Sequence, residues 1–524
     1  MHFKVAAEDK TNHRYSGVLV HPTSFPSPYG IGDMGRGAHE FIDFLAMAGQ
    51  HLWQVLPLGP SGNGNSPYQS YSVFAGQTLL ISPELLIEKK LLTEADVHPI
   101  PEFNADRVDY DKVTTYKTSL FKKAYEHFRH TADKNLLEEY DSFQSNNQYW
   151  LDDYCLYMAG KDYHNGLPWY EWEDSLLDPT PKERASWMKL LASEIDYYRF
   201  IQFAFFSQWY ELKDYANKKG IAIIGDIPIF TAPDSADVWA NKELFKLDSK
   251  GYPLEVAGVP PDYFSATGQL WGNPLYDYEA MKHDGFGWWI RRIDGAARLY
   301  DVVRIDHFRG FAAYWAVPHG ETTARNGHWM PGPGMDLVGV LTGWFPNLSF
   351  IAEDLGTPAP EVTALLSVSG LPGMRVLEFA FDNPQGQSPY LPHRCIENCV
   401  YYTGTHDNAP LSPWRSEVEP EALTFAAQYL GLNPQEGFCA GMLRGGMMTS
   451  AKLFVSQLQD WLEAEDVGRI NTPGTAQGNW QFRLSPGVLS DELAAHIRAV
   501  TARYGRLPDC AALKAASSQP MPHL

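Results

Sequence analysis

Eight short apolar runs, separated by helical segments, constrain the fold of this 524-residue chain more than any other feature of its sequence. The runs are rich in Val, Ile and Leu without strict polar alternation, which is typical of strands buried on both faces of a parallel sheet. Helical patterns at 36–49 and 193–219 lie between them, and alternating strands and helices predict a parallel α/β fold. The runs are 16–20, 51–58, 221–224, 300–305, 349–352, 374–381, 399–402 and 467–471.

Acidic residues follow three of these runs closely: Asp306, Glu353 and Asp407. Active sites of (β/α)8 barrels are built at the C-terminal ends of the strands, so eight runs with this bias favour a closed TIM barrel over an open doubly wound sheet. No Gly-x-Gly-x-x-Gly fingerprint follows the first run, which weakens the case for a dinucleotide-binding fold. The predicted fold class is therefore α/β, a (β/α)8 TIM barrel.

Two long interruptions of the pattern predict large, mainly helical insertions over the C-terminal face of the barrel. The connection between the second and third runs far exceeds an ordinary βα loop, and 61–196 is predicted to be a mainly helical insertion. Residues 230–278, rich in Pro, Gly and aromatic side chains, are predicted to form an ordered, loop-rich insertion. We expect one catalytic domain over 1–524 and no C-terminal β-sandwich, because the tail after Arg483 offers only a helical pattern at 490–504.

Charge and cysteine content disfavour several classes of protein. With 42 Lys and Arg against 63 Asp and Glu, the net charge of −21 disfavours nucleic acid and anionic membranes as partners. No apolar run reaches the roughly 20 residues that span a bilayer, and the N-terminus lacks the apolar core of a signal peptide. Five cysteines without a paired framework indicate reduced thiols. We expect a soluble, cytoplasmic protein, with a plastid as the alternative location, and leave the oligomeric state open.

The three acidic residues form a set that suits glycosidic chemistry, because carboxyl groups at strand ends around one barrel axis converge. Retaining cleavage needs one carboxylate to attack the anomeric carbon and one acid to protonate the departing oxygen. Arg304 lies two residues before Asp306 and faces the same side of the strand, where its cation would keep Asp306 ionised. Desolvation and nearness to Asp306 would raise the pKa of Glu353, as a general acid requires.

A structural interpretation competes with this one at each position, since a single Asp after a strand is commonly the N-cap of the next helix. His307 follows Asp306 directly, and His406 directly precedes Asp407. Imidazoles beside carboxylates are natural partners for sugar hydroxyls, so these neighbours make the capping interpretation weak for the set. His406 with Asp407 could also indicate a metal site. No third ligand stands at a recognisable spacing, so neither a metal nor another cofactor is expected.

These residues lie in longer strings that resemble the signatures of the 4-α-glucanotransferases. This is the amylomaltase or disproportionating-enzyme family, glycoside hydrolase family 77, a branch of the α-amylase clan. The resemblance extends from about residue 17 to residue 483. Its strings are NSPY at 65–68, GVPPDYFS at 258–265, QLWGNP at 269–274, VRIDHFRG at 303–310, AEDLG at 352–356, GTHDN at 404–408, PGT at 473–475 and GNW at 478–480.

The resemblance implies a role for each matched position. Asp306 would be the nucleophile, Glu353 the general acid and base, and Asp407 the third carboxylate. Substrate contacts are implied or considered for Arg304, His307, His406, Tyr68, Asp226, Asp262, Tyr263, Phe264, Trp271 and Asp382.

Several of these positions keep an alternative. Tyr263 and Phe264 match a mobile loop over the acceptor side, so that 230–278 would line the substrate groove. Ordinary loop packing is the alternative for Tyr68 and Trp271. Hydrogen-bonded support of the site is the alternative for Asp226, and helix capping is the alternative for Asp382.

The implied activity is transfer of α-1,4-glucan segments from a donor to the 4-hydroxyl of an acceptor glucan or glucose, by a retaining double displacement on maltooligosaccharides. Ala409 and Pro410 depart from the family pattern, which has a polar pair there, and could change donor-side contacts. An α-1,4-glucan hydrolase and a catalytically silent glucan-binding protein are the alternatives. The expected lack of a C-terminal β-sandwich disfavours the first, and three intact carboxylates disfavour the second.

Overall fold

A ring of parallel strands forms the centre of the computed structural model, which describes residues 13–261, 265–356, 359–465, 468–475 and 477–507. In chain order, the strands of the described part are β1 Tyr15–Leu19, β2 Leu52–Gln54, β3 Ala222–Pro228, β4 Glu255–Val259, β5 Gln269–Pro274, β6 Val302–Asp306, β7 Ala313–Pro318, β8 His328–Pro331, β9 Ser349–Ala352, β10 Gly373–Val376, β11 Cys399–Tyr402 and β12 Leu453–Gln457.

Eight of these strands form one sheet in the order β10-β11-β12-β1-β2-β3-β6-β9, and neighbouring strands are parallel throughout. The backbone N–H of Ala352, at the end of β9, donates to the carbonyl oxygen of Pro372, just before β10, at 2.9 Å. That contact brings the two edges of the sheet together. The predicted TIM barrel is therefore confirmed.

The last predicted strand was placed wrongly. Seven of the eight predicted runs overlap a barrel strand, but the eighth strand is β12 and not 467–471, whose described residues 468–471 form a loop. The residues of β12 are all buried, and the chain continues without a turn signal into a short helix, so its apolar pattern blends with that of the helix. A buried strand and a buried helix segment cannot be separated by periodicity when both are short.

A second sheet, which the sequence did not predict, lies beside the barrel. Strands β5, β4, β7 and β8 pair in that order, antiparallel throughout, with an irregularity between Val256 and Gly258. Two of its strands lie within 230–278, so this segment contains a β-hairpin and is not loop alone. Its Gly and Pro residues, which suggested a loop, occupy the bulge and the strand ends, where strands tolerate them.

Helices surround the barrel and fill the long connections. In the described residues they are α1 Arg36–Met47, α2 Pro83–Glu88, α3 Glu94–Val97, α4 Tyr110–Thr131, α5 Lys134–Tyr163, α6 Asp174–Leu177, α7 Pro181–Leu190, α8 Ala192–Lys218, α9 Ala236–Ala240, α10 Tyr278–His283, α11 Gly287–Leu299, α12 Gly334–Trp344, α13 Pro360–Ser369, α14 Leu411–Glu417, α15 Pro420–Leu430, α16 Phe438–Met447, α17 Leu458–Trp461 and α18 Asp491–Arg503. Short 3-10 helices lie at Pro22–Ser24, Asn63–Asn65, Thr78–Leu80, Trp169–Glu171, Lys242–Leu244, Phe308–Phe311, Leu377–Ala380 and Pro392–Arg394.

The connection between β2 and β3 carries α2 to α8, and two of these helices are the longest of the described part. Helix α5 runs without a break over 30 residues and packs along α8. Aromatic side chains such as Phe128, Phe143 and Phe203 fill the space between α4, α5 and α8, and they join the same hydrophobic core as the barrel strands. Among the helices of the described residues, none combines the length and the apolar character of a membrane-spanning segment.

Candidate active site

A buried arginine links two aspartates on neighbouring barrel strands. Parallel pairing of β3 with β6 sets Asp226 opposite Arg304, and Asp306 follows Arg304 on the same face. Nη1 of Arg304 donates to both carboxylate oxygens of Asp226, at 2.7 and 2.6 Å, and to Oδ1 of Asp306 at 2.9 Å. The side chain of Asp226 is fully buried, whereas that of Asp306 is 27% exposed. Of the two carboxylates, Asp306 is therefore the one that a substrate can reach.

Glu353 comes directly after β9, the strand next to β6, and two backbone N–H groups hold its carboxyl. His307 N donates to Oε2 at 2.8 Å, and Leu355 N donates to Oε1 at 2.7 Å. His307 has a left-handed backbone with φ of 52°, which a residue without glycine's freedom adopts only when the surroundings enforce it. This turn aims the N–H of the residue after Asp306 at Glu353, and so fixes the two carboxyl groups relative to each other.

The pKa values of the two carboxyl groups are raised to different extents. Burial raises the pKa of Asp306 to about 6, while Arg304 lowers it and Asp226 raises it. Burial, followed by the charge of Asp306, raises the pKa of Glu353 to about 8 against the effects of Arg304 and of the two N–H donors. Arg304 therefore acts in the direction expected from the sequence, but burial outweighs it. At neutral pH, Asp306 is mainly ionised and Glu353 mainly protonated.

Asp407 lies on the loop after β11 and is the most exposed of the three acidic residues, at 45% of its side chain. Asn471 Nδ2 donates to its Oδ1 at 2.6 Å, and Nε2 of the buried His406 lies 3.4 Å from the same oxygen. The negative charge of Asp407 contributes to the raised pKa of Asp306, so the two carboxylates act on each other electrostatically. A carboxylate in this position can accept hydrogen bonds from sugar hydroxyls.

Aromatic rings line both sides of these carboxyl groups. Tyr68 donates its hydroxyl hydrogen to Oδ2 of Asp226 at 2.8 Å, and its ring stacks on His406 at 5.2 Å. Trp480 packs against the rings of Tyr68 and His406. On the other side, Trp271 from β5 meets the ring of His307 edge-on at 4.7 Å. Burial lowers the pKa of His307 to about 3, so this imidazole is neutral and can accept or donate a hydrogen bond.

Not every predicted site residue joins this cluster. Asp382 follows the 3-10 helix after β10 and is exposed; no contact joins it to the three carboxyl groups in the described structure. Asp262, Tyr263 and Phe264 lie outside the described residues. The loop that carries them runs from β4 to β5, the strand that holds Trp271.

Sequence reasoning missed two residues that contact the cluster. Trp480 lies in the GNW string at 478–480, which marks it as a candidate, but the sequence analysis predicts no role for it. Asn471 falls in the wrongly placed strand 467–471, and no motif marks it as a site residue. Among the described residues, no group of three or more His, Cys, Asp or Glu side chains is arranged to hold a metal ion.

Comparison with known proteins gives consistent matches over most of the chain. A family model described as 4-alpha-glucanotransferase matches residues 20–490. A 4-alpha-glucanotransferase of Synechocystis sp. is 47% identical over 496 residues, which cover 94% of this chain and 98% of that protein. A 4-alpha-glucanotransferase of Aquifex aeolicus is 46% identical over 474 residues, covering 90% and 95%. The solved structure of an amylomaltase from Streptococcus agalactiae in complex with acarbose matches with a TM-score of 0.92 at 37% identity, covering 94% of this chain and 100% of that one.

Proposed function

The chain belongs to the 4-alpha-glucanotransferase family, and we propose that Asp306, Glu353 and Asp407 carry out its transfer reaction. The enzyme transfers α-1,4-glucan segments from a donor to the 4-hydroxyl of an acceptor glucan or glucose by a retaining double displacement. One observation carries the assignment of roles. The accessible, mainly ionised Asp306 stands beside a mainly protonated Glu353, and the backbone of His307 connects them.

In the first half of the reaction, the carboxylate of Asp306 attacks the anomeric carbon of the donor glucan. Glu353 gives its proton to the glycosidic oxygen, and the leaving oligosaccharide departs with a free 4-hydroxyl. The product is a glucosyl ester on Asp306. Arg304 holds the attacking carboxyl in place through Oδ1 and leaves Oδ2 free of that contact.

In the second half, Glu353 acts as a base toward the incoming acceptor. The negative charge of Asp306 is one of the causes of the raised pKa of Glu353, and ester formation removes that charge. The pKa of Glu353 therefore falls once the intermediate has formed, and the residue can take the proton from the acceptor 4-hydroxyl. The acceptor oxygen then attacks the anomeric carbon and releases Asp306.

Transfer requires that a sugar acceptor reach the intermediate before water does. We assign this selection to the loop with Tyr263 and Phe264, whose aromatic side chains would cover the acceptor side. The support is the position of Trp271, on the strand that follows this loop, against the ring of His307. Replacing both Tyr263 and Phe264 by Ala is expected to raise the ratio of hydrolysis to transfer; an unchanged ratio would remove the loop from the mechanism.

Product analysis on maltotriose tests the proposed reaction. Chromatography should show glucose together with a ladder of longer maltooligosaccharides, and the Asp306→Asn variant should produce neither. Equal amounts of glucose and maltose without longer chains would instead identify an α-1,4-glucan hydrolase. No turnover by the folded parent enzyme would point to a glucan-binding protein. We further propose maltooligosaccharides and α-1,4-glucans as substrates. We also propose the cytoplasm as the location, which fractionation of the source cells would check.

A further inference from the structure

Two cysteines at the opposite end of β11 from Asp407 lie side by side. Cys395 follows the 3-10 helix Pro392–Arg394, Cys399 is the first residue of β11, and their Sγ atoms are 3.3 Å apart. Both thiols also lie near the carbonyl oxygen of Ile396, at 3.4 and 3.1 Å. The other free cysteines of the described residues, Cys155 and Cys439, are buried elsewhere in the fold.

The two thiols differ in access and in charge state. Cys395 is half-buried, and the hydrogen bond from Cys399 is the largest cause that lowers its pKa, to about 7. Cys399 is buried, and its contact with Cys395 followed by burial raises its pKa. The guanidinium of Arg375 favours the thiolate on both, and the Cys395 backbone is anchored by a hydrogen bond from the Ser450 hydroxyl to its carbonyl oxygen at 2.7 Å. A partly exposed thiol with a lowered pKa beside a protonated thiol is the arrangement of a reactive dithiol.

From the contact between the two sulfur atoms, we propose that Cys395 and Cys399 form a peroxide-reactive dithiol that closes to an intrachain disulfide. The Cys395 thiolate attacks one oxygen of hydrogen peroxide, the O–O bond breaks, and hydroxide leaves, so that Cys395 becomes a sulfenic acid. Cys399 then attacks the sulfur of Cys395, the S–O bond breaks, and the thiol proton leaves with the departing oxygen as water. Two thiols and one peroxide thus give one disulfide and two waters.

The required movement is small and lies at the opposite end of β11 from the loop with His406 and Asp407. The sulfur atoms must approach from 3.3 Å to about 2.05 Å, which rotation of the two side chains can supply. Cys399 begins β11, and the catalytic-site loop with His406 and Asp407 follows the other end of that strand. Closure of the disulfide is therefore expected to leave glucan transfer unchanged, and to protect Cys395 from irreversible oxidation.

Peptide mapping of the full-length protein tests this inference. Trypsin releases residues 395–415 as one peptide that contains Cys395, Cys399 and no other cysteine. After one equivalent of hydrogen peroxide and alkylation, this peptide is expected to lack two hydrogens and to carry no alkyl group. Dithiothreitol should restore two alkylation sites. Transfer activity on maltotriose should be the same in the oxidised and reduced samples.

Two variants separate this outcome from general oxidation. In Cys399→Ser, peroxide should leave Cys395 as a sulfenic acid that dimedone traps, since the resolving thiol is gone. Cys510→Ser serves as the matched control and should still form the disulfide. Sulfinic or sulfonic acid on Cys395 of the parent protein would overturn the proposal. A peptide 395–415 that stays fully alkylatable while Cys510 is consumed would overturn it as well.

Discussion

One guanidinium group shared by two carboxylates determines the residue-scale chemistry of this site. Arg304 donates three hydrogen bonds from a single nitrogen, two to Asp226 and one to Asp306. Asp226 accepts two of these three hydrogen bonds, and its negative charge lies near Asp306. That charge adds to the effect of burial, and together they raise the pKa of Asp306 against the lowering effect of Arg304.

The Asp226→Asn variant tests this sharing of charge. Removing the negative charge of Asp226 is expected to lower the pKa of Asp306, so the acidic limb of kcat/KM on maltotriose should move to lower pH, by roughly one unit. The exposed Asp141 on α5 provides a matched control, and Asp141→Asn should leave the profile unchanged. A limb that moves to higher pH, with the fold intact by circular dichroism, would contradict the assignment of that limb to Asp306.

The parent enzyme should show a bell-shaped pH profile. The proposed mechanism requires ionised Asp306 and protonated Glu353, so kcat/KM should rise with pH through about 6 and fall through about 8. An α-glucosyl fluoride needs little protonation of its leaving group. The rate at which this donor forms the intermediate should therefore not fall at alkaline pH. Retention of the alkaline limb with the fluoride would show that Glu353 is not the group that titrates there.

At this scale, the sequence predicts a contact when both residues lie on the same strand. The spacing of Arg304 and Asp306 places both on one face of β6, and this could be read without a structure. The contact of Asn471 with Asp407 joins residues 64 positions apart through two loops, and no local pattern encodes it. The left-handed turn at His307 is likewise set by packing around Glu353 and not by the identity of the residue.

At the scale of elements, a short helix holds the loop that carries His406 and Asp407. Asp460 on α17 accepts hydrogen bonds from the Thr403 hydroxyl and from Leu411 N, at the two ends of that loop. Burial raises the pKa of Asp460 to about 6, and these two donors only partly oppose the rise. The loop is therefore anchored by a carboxyl group that is costly to ionise in the folded state.

Substituting Asp460 by Asn should alter the dependence of stability on pH. An unfolded Asp releases its proton near pH 4, whereas folded Asp460 holds it until about pH 6, so the parent loses stability as pH rises between these values. Asn carries no such cost, and its amide oxygen can still accept from Leu411 N. Between pH 4 and pH 7, the free energy of unfolding of Asp460→Asn should increase by about 2 kcal/mol relative to that of the parent, as measured by thermal unfolding at each pH. A difference that does not change with pH would refute this account.

Element-scale prediction from sequence succeeded for the parallel strands and failed for the antiparallel ones. Buried parallel strands are continuous apolar runs, and seven of them were located in this way. The strands of the second sheet are short and half-exposed and contain Gly258, Gly272 and several prolines, so their composition resembles that of a loop. Their pairing depends on residues from both sides of β6, which a local window does not include.

At the scale of the whole molecule, a buried ion pair joins the helical connection to the barrel. Lys117 lies in the buried stripe of α4 and is fully buried. Its Nζ donates to Leu79 O at 2.7 Å, to Ile81 O at 2.9 Å and to Oδ2 of Asp33 at 3.3 Å. Asp33 lies before α1 of the barrel, so this one amine connects α4 with two other segments of the chain.

Lys117→Met should therefore destabilise the protein strongly. The substitution keeps much of the side-chain volume but leaves Asp33 and two carbonyl oxygens buried without their partner, which costs about 3–5 kcal/mol of unfolding free energy. Lys122→Met, at an exposed position on the same helix, should change it by less than about 0.5 kcal/mol. Equal melting temperatures for the Lys117 variant and the parent would show that the ion pair does not stabilise the fold.

Trapping the covalent intermediate tests the central claim, that Asp306 is the nucleophile, most directly. The Glu353→Gln variant is incubated with α-maltosyl fluoride, a donor that can form the ester without an acid. The variant has no base to activate an acceptor, so the ester should accumulate. Its peptic peptides are then analysed by mass spectrometry. The account predicts one maltosyl group on the peptide that carries Asp306, and none in the variant that also carries Asp306→Asn. A maltosyl group on Asp407 or on any other residue, or no adduct although fluoride is released, would contradict it.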